Sequence, residues 1–124
     1  MGGERSSALA AALVMMVVAA ATTAEAKVYH LTWSLPADSE FNVTYGDIVV
    51  FRFDAILLNL MKVDKWSFKY CKMHKATAIV IQKRTNQAPH VAVGPEILQP
   101  GSHYFVCGVT NLCDLGMKTQ INVN

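Results

Sequence analysis

Along most of this chain, short apolar runs alternate with polar positions, and turn-forming residues separate the runs. Val28-Tyr29-His30-Leu31-Thr32-Trp33 alternates and is rich in β-favouring side chains, which predicts a strand buried on one face. Leu35-Pro36-Ala37-Asp38-Ser39 breaks it. Phe41-Asn42-Val43-Thr44 leads into the turn Tyr45-Gly46-Asp47, and residues 48–53 read as a strong strand. Residues 57–63 and 66–71 are further strand candidates, while residues 78–81 suit either a strand or a helical turn. Residues 91–93, 96–98, 103–107 and 118–123 complete the set, with Pro100-Gly101 as the turn signal before residue 103. Many short strands with turns between them point to an all-β sandwich or barrel.

The first 26 residues follow a different pattern. A short start carrying Arg5 leads into an apolar run of 14 residues, 8–21, and Ala24-Glu25-Ala26 supplies an A-x-A cleavage site. This predicts a secretory signal peptide over residues 1–26 and a mature domain over 27–124. The run is shorter than the ~18–20 apolar residues a spanning helix needs, and no second such run follows. Neither a transmembrane span nor a GPI signal is therefore expected in the mature protein.

Secretion changes how the remaining residues are read. Three cysteines, Cys71, Cys107 and Cys113, would meet an oxidising compartment, so one disulfide and one spare thiol are expected. Their spacing leaves all three pairings open. Closing a loop of ~40 residues would contribute about 3–4 kcal/mol to so small a domain. Asn42-Val43-Thr44 is the one N-x-[ST] sequon, which makes Asn42 a candidate glycosylation site beside a turn. The mature region carries ten Lys and Arg against seven Asp and Glu, and seven of those cations fall between Lys62 and Arg84. A solvated sheet face accounts for such a cluster; attraction to a polyanionic wall polymer or an anionic membrane surface is the sharper reading. The cations form no known nucleic-acid motif, so nucleic acid is not expected as a partner. No nucleophile–base pair or carboxylate pair stands out, and an enzyme is not expected.

The candidate chemistry lies near the C-terminus. Gly101-Ser102-His103-Tyr104-Phe105-Val106-Cys107 is followed by a turn and then by Met117, ten residues after the cysteine. A thiolate and a thioether so placed are half of a type-1 copper centre, whose other half is two imidazoles. The soft pair Cys107 and Met117 is also of the kind that selects Cu(I).

Gly46-Asp47-Ile48-Val49-Val50-Phe51, Leu58-Asn59, Cys71, Gly101-x-His103-Tyr104-Phe105-Val106-Cys107-Gly108-Val109 and Cys113-x-x-Gly116-Met117-Lys118 together resemble the phytocyanins, the plant branch of the cupredoxins. The resemblance implies a cupredoxin-like Greek-key β-sandwich with one or two short helical turns. It implies a Cys71–Cys113 disulfide, with Cys107 at the thiolate position and Met117 at the axial position. The two imidazole positions of the family fall on Leu58 and Leu112. Leucine has no lone pair to offer, so Leu58, Cys107, Leu112 and Met117 are expected to be vestigial copper positions, and neither copper nor another cofactor is expected. In this the chain is similar to the early nodulin-like subgroup.

His103 lies four strand residues before Cys107, and at ~3.3 Å per residue it stands too far back to replace either imidazole. His30, His74 and His90 have no mutual spacing that suggests a site. An apolar shell of Leu58, Leu112 and Met117 favours an inert, buried Cys107 over a redox-sensing thiol. The leucines either repack a vacated site or, with Leu115, enlarge an apolar patch where a partner docks. The expectation is a secreted monomer of the apoplast, cell wall or plasma-membrane surface that binds a glycan, a peptide or another surface protein. The alternative is a small blue-copper electron carrier.

Overall fold

A computed structural model describes residues 25–35, 37, 40–53, 57–73, 78–85, 90–109 and 111–124. The apolar run of the signal reading and His74 lie outside them. Eight strands are described: β1 (Val28–Thr32), β2 (Glu40–Val43), β3 (Ile48–Arg52), β4 (Leu60–Val63), β5 (Ile79–Gln82), β6 (His90–Val93), β7 (Gly101–Val106) and β8 (Lys118–Val123). One helix, α1 (Lys65–Tyr70), follows β4.

The strands form two sheets, ordered β1-β3-β6 and β2-β8-β7-β4-β5. β1 pairs with β3, and β2 with β8, in parallel; the other pairings are antiparallel. Alternation decides which side chains face inward: in β8 Thr119, Ile121 and Val123 are buried while their neighbours are half-buried. The two inner faces share one core. Trp33 meets Phe51 edge-on at 5.5 Å, and Phe51 meets Phe105 at 5.3 Å, so an aromatic chain links the smaller sheet to the larger. Leu60, Leu98, Ile121, Val49 and Val93 fill the space around it. This is the all-β sandwich expected from the chain's pattern.

Two expected strands are corrected. Trp66-Ser67-Phe68-Lys69-Tyr70 alternates like a strand but is helix α1. The Asp64 carboxylate accepts from Ser67 N at 2.7 Å, which caps the first turn, and Cys71 ends the helix in the left-handed region at φ 54. The far end is held by Lys118, whose ammonium donates to Phe68 O at 2.8 Å and lies over the Phe68 ring. Residues 96–98 are a turn rather than a strand: Ile97 N and Leu98 N both donate to Gly94 O, which buries Leu98 at the core edge. Residues 78–81, open between two readings, fall on β5, and the strand expected over 57–63 begins only at Leu60.

Candidate functional site

β7 runs toward the end of the larger sheet from which β4 and β8 start, because β7 is antiparallel to both. The segment before β4, carrying Leu58 and Asn59, therefore meets the 107–117 loop that joins β7 to β8. Backbone hydrogen bonds set this corner. Cys107 N donates to Met117 O at 3.1 Å, which extends the β7–β8 ladder by one step. Met117 N then donates to Leu112 O at 2.9 Å, and Leu112 N to Val109 O at 3.2 Å, folding the loop onto itself. Gly116 turns the chain at φ 104, a conformation that disfavours any side chain.

Asn59 fastens the other side, a role that sequence reasoning missed. Its Oδ1 accepts from Gly108 N at 2.7 Å, and its carbonyl accepts from Trp33 Nε1 at 2.9 Å. A Cβ at residue 108 would press on Met61 Sδ, and the Met61 side chain would have to shift. The Asn-Gly pair is separated by 49 positions in sequence, and no local signal connects them.

Cys107 and Met117 are fully buried in the main core, and Leu58 and Leu112 are half-buried against that same cluster. Leu115 stands apart from them, 60% exposed on the loop. The neighbouring Leu57, which sequence reasoning left out of the patch, is exposed as well. Cys71 and Cys113 form a disulfide with their Cα atoms 5.7 Å apart, joining the end of α1 to the loop, and Cys113 is buried beside Val63 and Val106. Cys107 is a free, buried thiol.

At the four positions where the family resemblance places copper ligands, Cys107 and Met117 offer sulfur, and Leu58 and Leu112 contribute hydrocarbon. They do not match the two-imidazole, thiolate and thioether set of a type-1 copper centre. Among the described residues, no three His, Cys, Asp or Glu side chains are grouped so as to hold a metal ion. Two of the three described histidines are engaged in hydrogen bonds. His103 is buried within β7 with Nε2 at the Gln99 carbonyl, and His30 Nδ1 accepts from Arg52 Nε at 3.2 Å. His90 is exposed on β6, paired in register with Arg52.

Residues 23–117 match the family described as the plastocyanin-like domain. The chain belongs to this family, in its phytocyanin branch. Among this phytocyanin's relatives is stellacyanin of Toxicodendron vernicifluum, 29% identical over 91 residues that make up 73% of this chain and 76% of that one. Cucumber basic protein, a blue copper protein, shares the fold with a TM-score of 0.65 at 23% identity, covering 78% of this chain and 99% of its own. Cucumber stellacyanin (Cu2+, pH 7.0) has a TM-score of 0.58 at 26% identity, covering 80% and 96%.

Asn42 lies exposed on β2, at the edge of the larger sheet, and its Oδ1 accepts from Asn122 Nδ2 at 3.0 Å. Among the described residues, no helix is long and apolar enough to cross a membrane.

Proposed function

We propose that this phytocyanin is a secreted domain without type-1 copper chemistry that acts by binding a glycan, a peptide or a protein at the cell surface or in the wall. One observation carries the reading: Leu58 and Leu112 both pack against the cluster that contains Cys107 and Met117. The family resemblance assigns imidazoles to those two positions. At those four positions a copper ion would find sulfur alone, whereas a type-1 centre needs two nitrogen donors as well. Early nodulin-like proteins are the subgroup this reading favours. The 107–117 loop end, with Leu115 and Leu57 exposed, is the proposed contact surface.

The retained sulfur pair and the copper-bearing relatives favour a second reading, a small blue-copper electron carrier; a shared fold does not by itself assign that function. Copper titration separates the two. The purified protein should show no intense visible thiolate-to-copper band when Cu(II) is added, and its appearance would refute the proposal. In a Leu58→His, Leu112→His double variant the band should appear if Cys107 and Met117 still stand as ligands. For the binding role, wall-glycan arrays and surface pull-downs should lose signal with Leu112→Asp; unchanged binding would exclude this end as the contact.

A further inference from the structure

The turn before β3 holds a buried carboxylate whose partners come from two separate segments. Asp47 N donates to Thr44 O at 3.0 Å, and Gly46 takes the third turn position at φ 100. Asp47 is 5% exposed. Its Oδ2 accepts from Thr44 N and its Oδ1 from Lys27 N, each at 2.9 Å. Lys27 O accepts in turn from Ile48 N at 2.9 Å, so this residue sets the start of the β1–β3 register. A cleft of about 170 Å3, lined by Glu25, Ala26, Lys27 and the 44–47 turn, flanks the contact, and Ala26 and Lys27 are exposed.

We infer that Asp47 is the binding site for the α-ammonium group released on Lys27 when the signal segment is cut after Ala26, so that processing turns a hydrogen bond into an ion pair. This rests on the secretory reading of residues 1–26. The step is hydrolysis of the Ala26–Lys27 amide by water, catalysed by the secreting host's signal peptidase. The hydroxyl goes to the Ala26 carbonyl carbon and the hydrogen to the Lys27 nitrogen, which then takes up a proton at neutral pH. That nitrogen already lies at bonding distance from Oδ1, so the new charge is created in place. A hydrogen bond between charged partners is stronger than one from a neutral amide.

The direction of the carboxylate's acidity agrees with this arrangement. The Lys27 N–H, followed by the Thr44 N–H, holds the Asp47 carboxyl below its ordinary value of 3.8 against the opposing effect of burial. The other titratable groups lining the cleft are the Lys27 side chain, Tyr45 and, before cleavage, Glu25, which departs with the signal. Just beyond β8, Asn124 O accepts from Tyr45 N and closes the same turn. The ammonium's pKa is raised in the folded state, so its contribution is complete below the unfolded value of ~7.7–8.0 and is lost as pH rises through the folded value.

The test expresses the full precursor in a secreting plant-cell host and measures the intact mass of the product. A chain beginning at Lys27 is expected; another start overturns the inference, and retention in the cell with residues 1–26 attached overturns the secretory reading itself. The α-amine is then titrated by NMR. We expect its pKa about one unit above the ordinary range, returning toward that range in Asp47→Asn. A chain beginning at Glu25 guards against misfolding of that variant: its displaced amine should titrate normally, and it should lack the alkaline loss of stability expected of the mature protein. An ordinary amine pKa in the Lys27 chain, unchanged by Asp47→Asn, overturns the inference, as does the same alkaline stability profile for both starts.

Discussion

Breaking the Cys71–Cys113 bridge should remove a large share of this domain's stability, and the amount follows from where the bridge sits. The cysteines are 42 positions apart. In the chain-entropy treatment, a closed loop of about 40 residues lowers the entropy of the unfolded chain by roughly 13 cal/mol/K, which is about 4 kcal/mol at 25 °C. A domain of this size has a total stability of about 5–15 kcal/mol, so the loss brings it toward the edge of folding. At roughly 4–8 °C per kcal/mol, the melting temperature should fall by about 15–30 °C. A Cys71→Ala, Cys113→Ala variant should lose about 1–2 kcal/mol more than simple reduction. Truncating the buried Cys113 side chain leaves a void beside Val63 and Val106 that reduction does not create. Urea titrations of oxidised and reduced protein, extrapolated to water with the m-values compared, provide the measurement. The bridge also joins the end of α1 to the 107–117 loop, so amide exchange should rise first in those two segments. A loss below about 1 kcal/mol with an unchanged m-value would refute the loop-entropy reasoning.

Three further changes test other parts of the fold. Asp64→Ala removes the side-chain cap on Ser67 N and should cost about 1 kcal/mol in chemical denaturation, with no cost showing that the cap is dispensable. Thr119 is fully buried, and among the described residues its Oγ1 has no hydrogen-bond partner; Thr119→Val should stabilise by about 1 kcal/mol in thermal melts, and a lower melting temperature would show that the hydroxyl is satisfied. Because the folded-state pKa of Asp47 is depressed, its contribution is present above its unfolded value and is lost as pH falls through the folded one. Acid unfolding should therefore be shallower in Asp47→Asn than in the parent, and equal slopes would remove Asp47 from the acid transition.

The legible and illegible parts of the chain differ in how local their causes are. β1 and β8 are readable because the inward side chains alternate along them, whereas β3 is readable as a continuous apolar run after a turn, buried at three successive residues, and β7 through the Pro100-Gly101 turn signal before its apolar end. Helix α1 was misread because Trp66, Phe68 and Tyr70 alternate with Ser67 and Lys69. That period belongs to a strand, and the opposing signal is the single cap at Asp64. Residues 96–98 are apolar enough for a strand, yet Gly94 accepts two successive amides and turns them. At the candidate site, Cys107 and Met117 were conspicuous through their spacing, while Leu58 acquired meaning through the family resemblance. The Asn59–Gly108 clamp was unreadable because it spans 49 positions and uses two residue types that are common in turns.

If no ion cross-links this corner, as proposed, other bonds must hold it. The loop is closed by its own backbone bonds from Cys107 to Met117 and from Met117 to Leu112, clamped to β4 through Asn59, and tied to α1 by the disulfide. None of these constraints passes through a metal. An imidazole set against this apolar cluster without an ion would need a hydrogen-bond partner for each ring nitrogen, and an unpaired buried polar group costs about 1–3 kcal/mol. Leucine carries no such requirement and gains from burial, up to ~1.5–3 kcal/mol for a fully covered side chain. On the proposed reading, replacing one imidazole alone would leave the other polar group without its ion, whereas replacing both would extend the core toward the surface. On the proposed copper-free reading Leu58 and Leu112 make physical sense as a pair: both pack against the cluster that contains Cys107 and Met117, and both put hydrocarbon where the family resemblance assigns imidazoles.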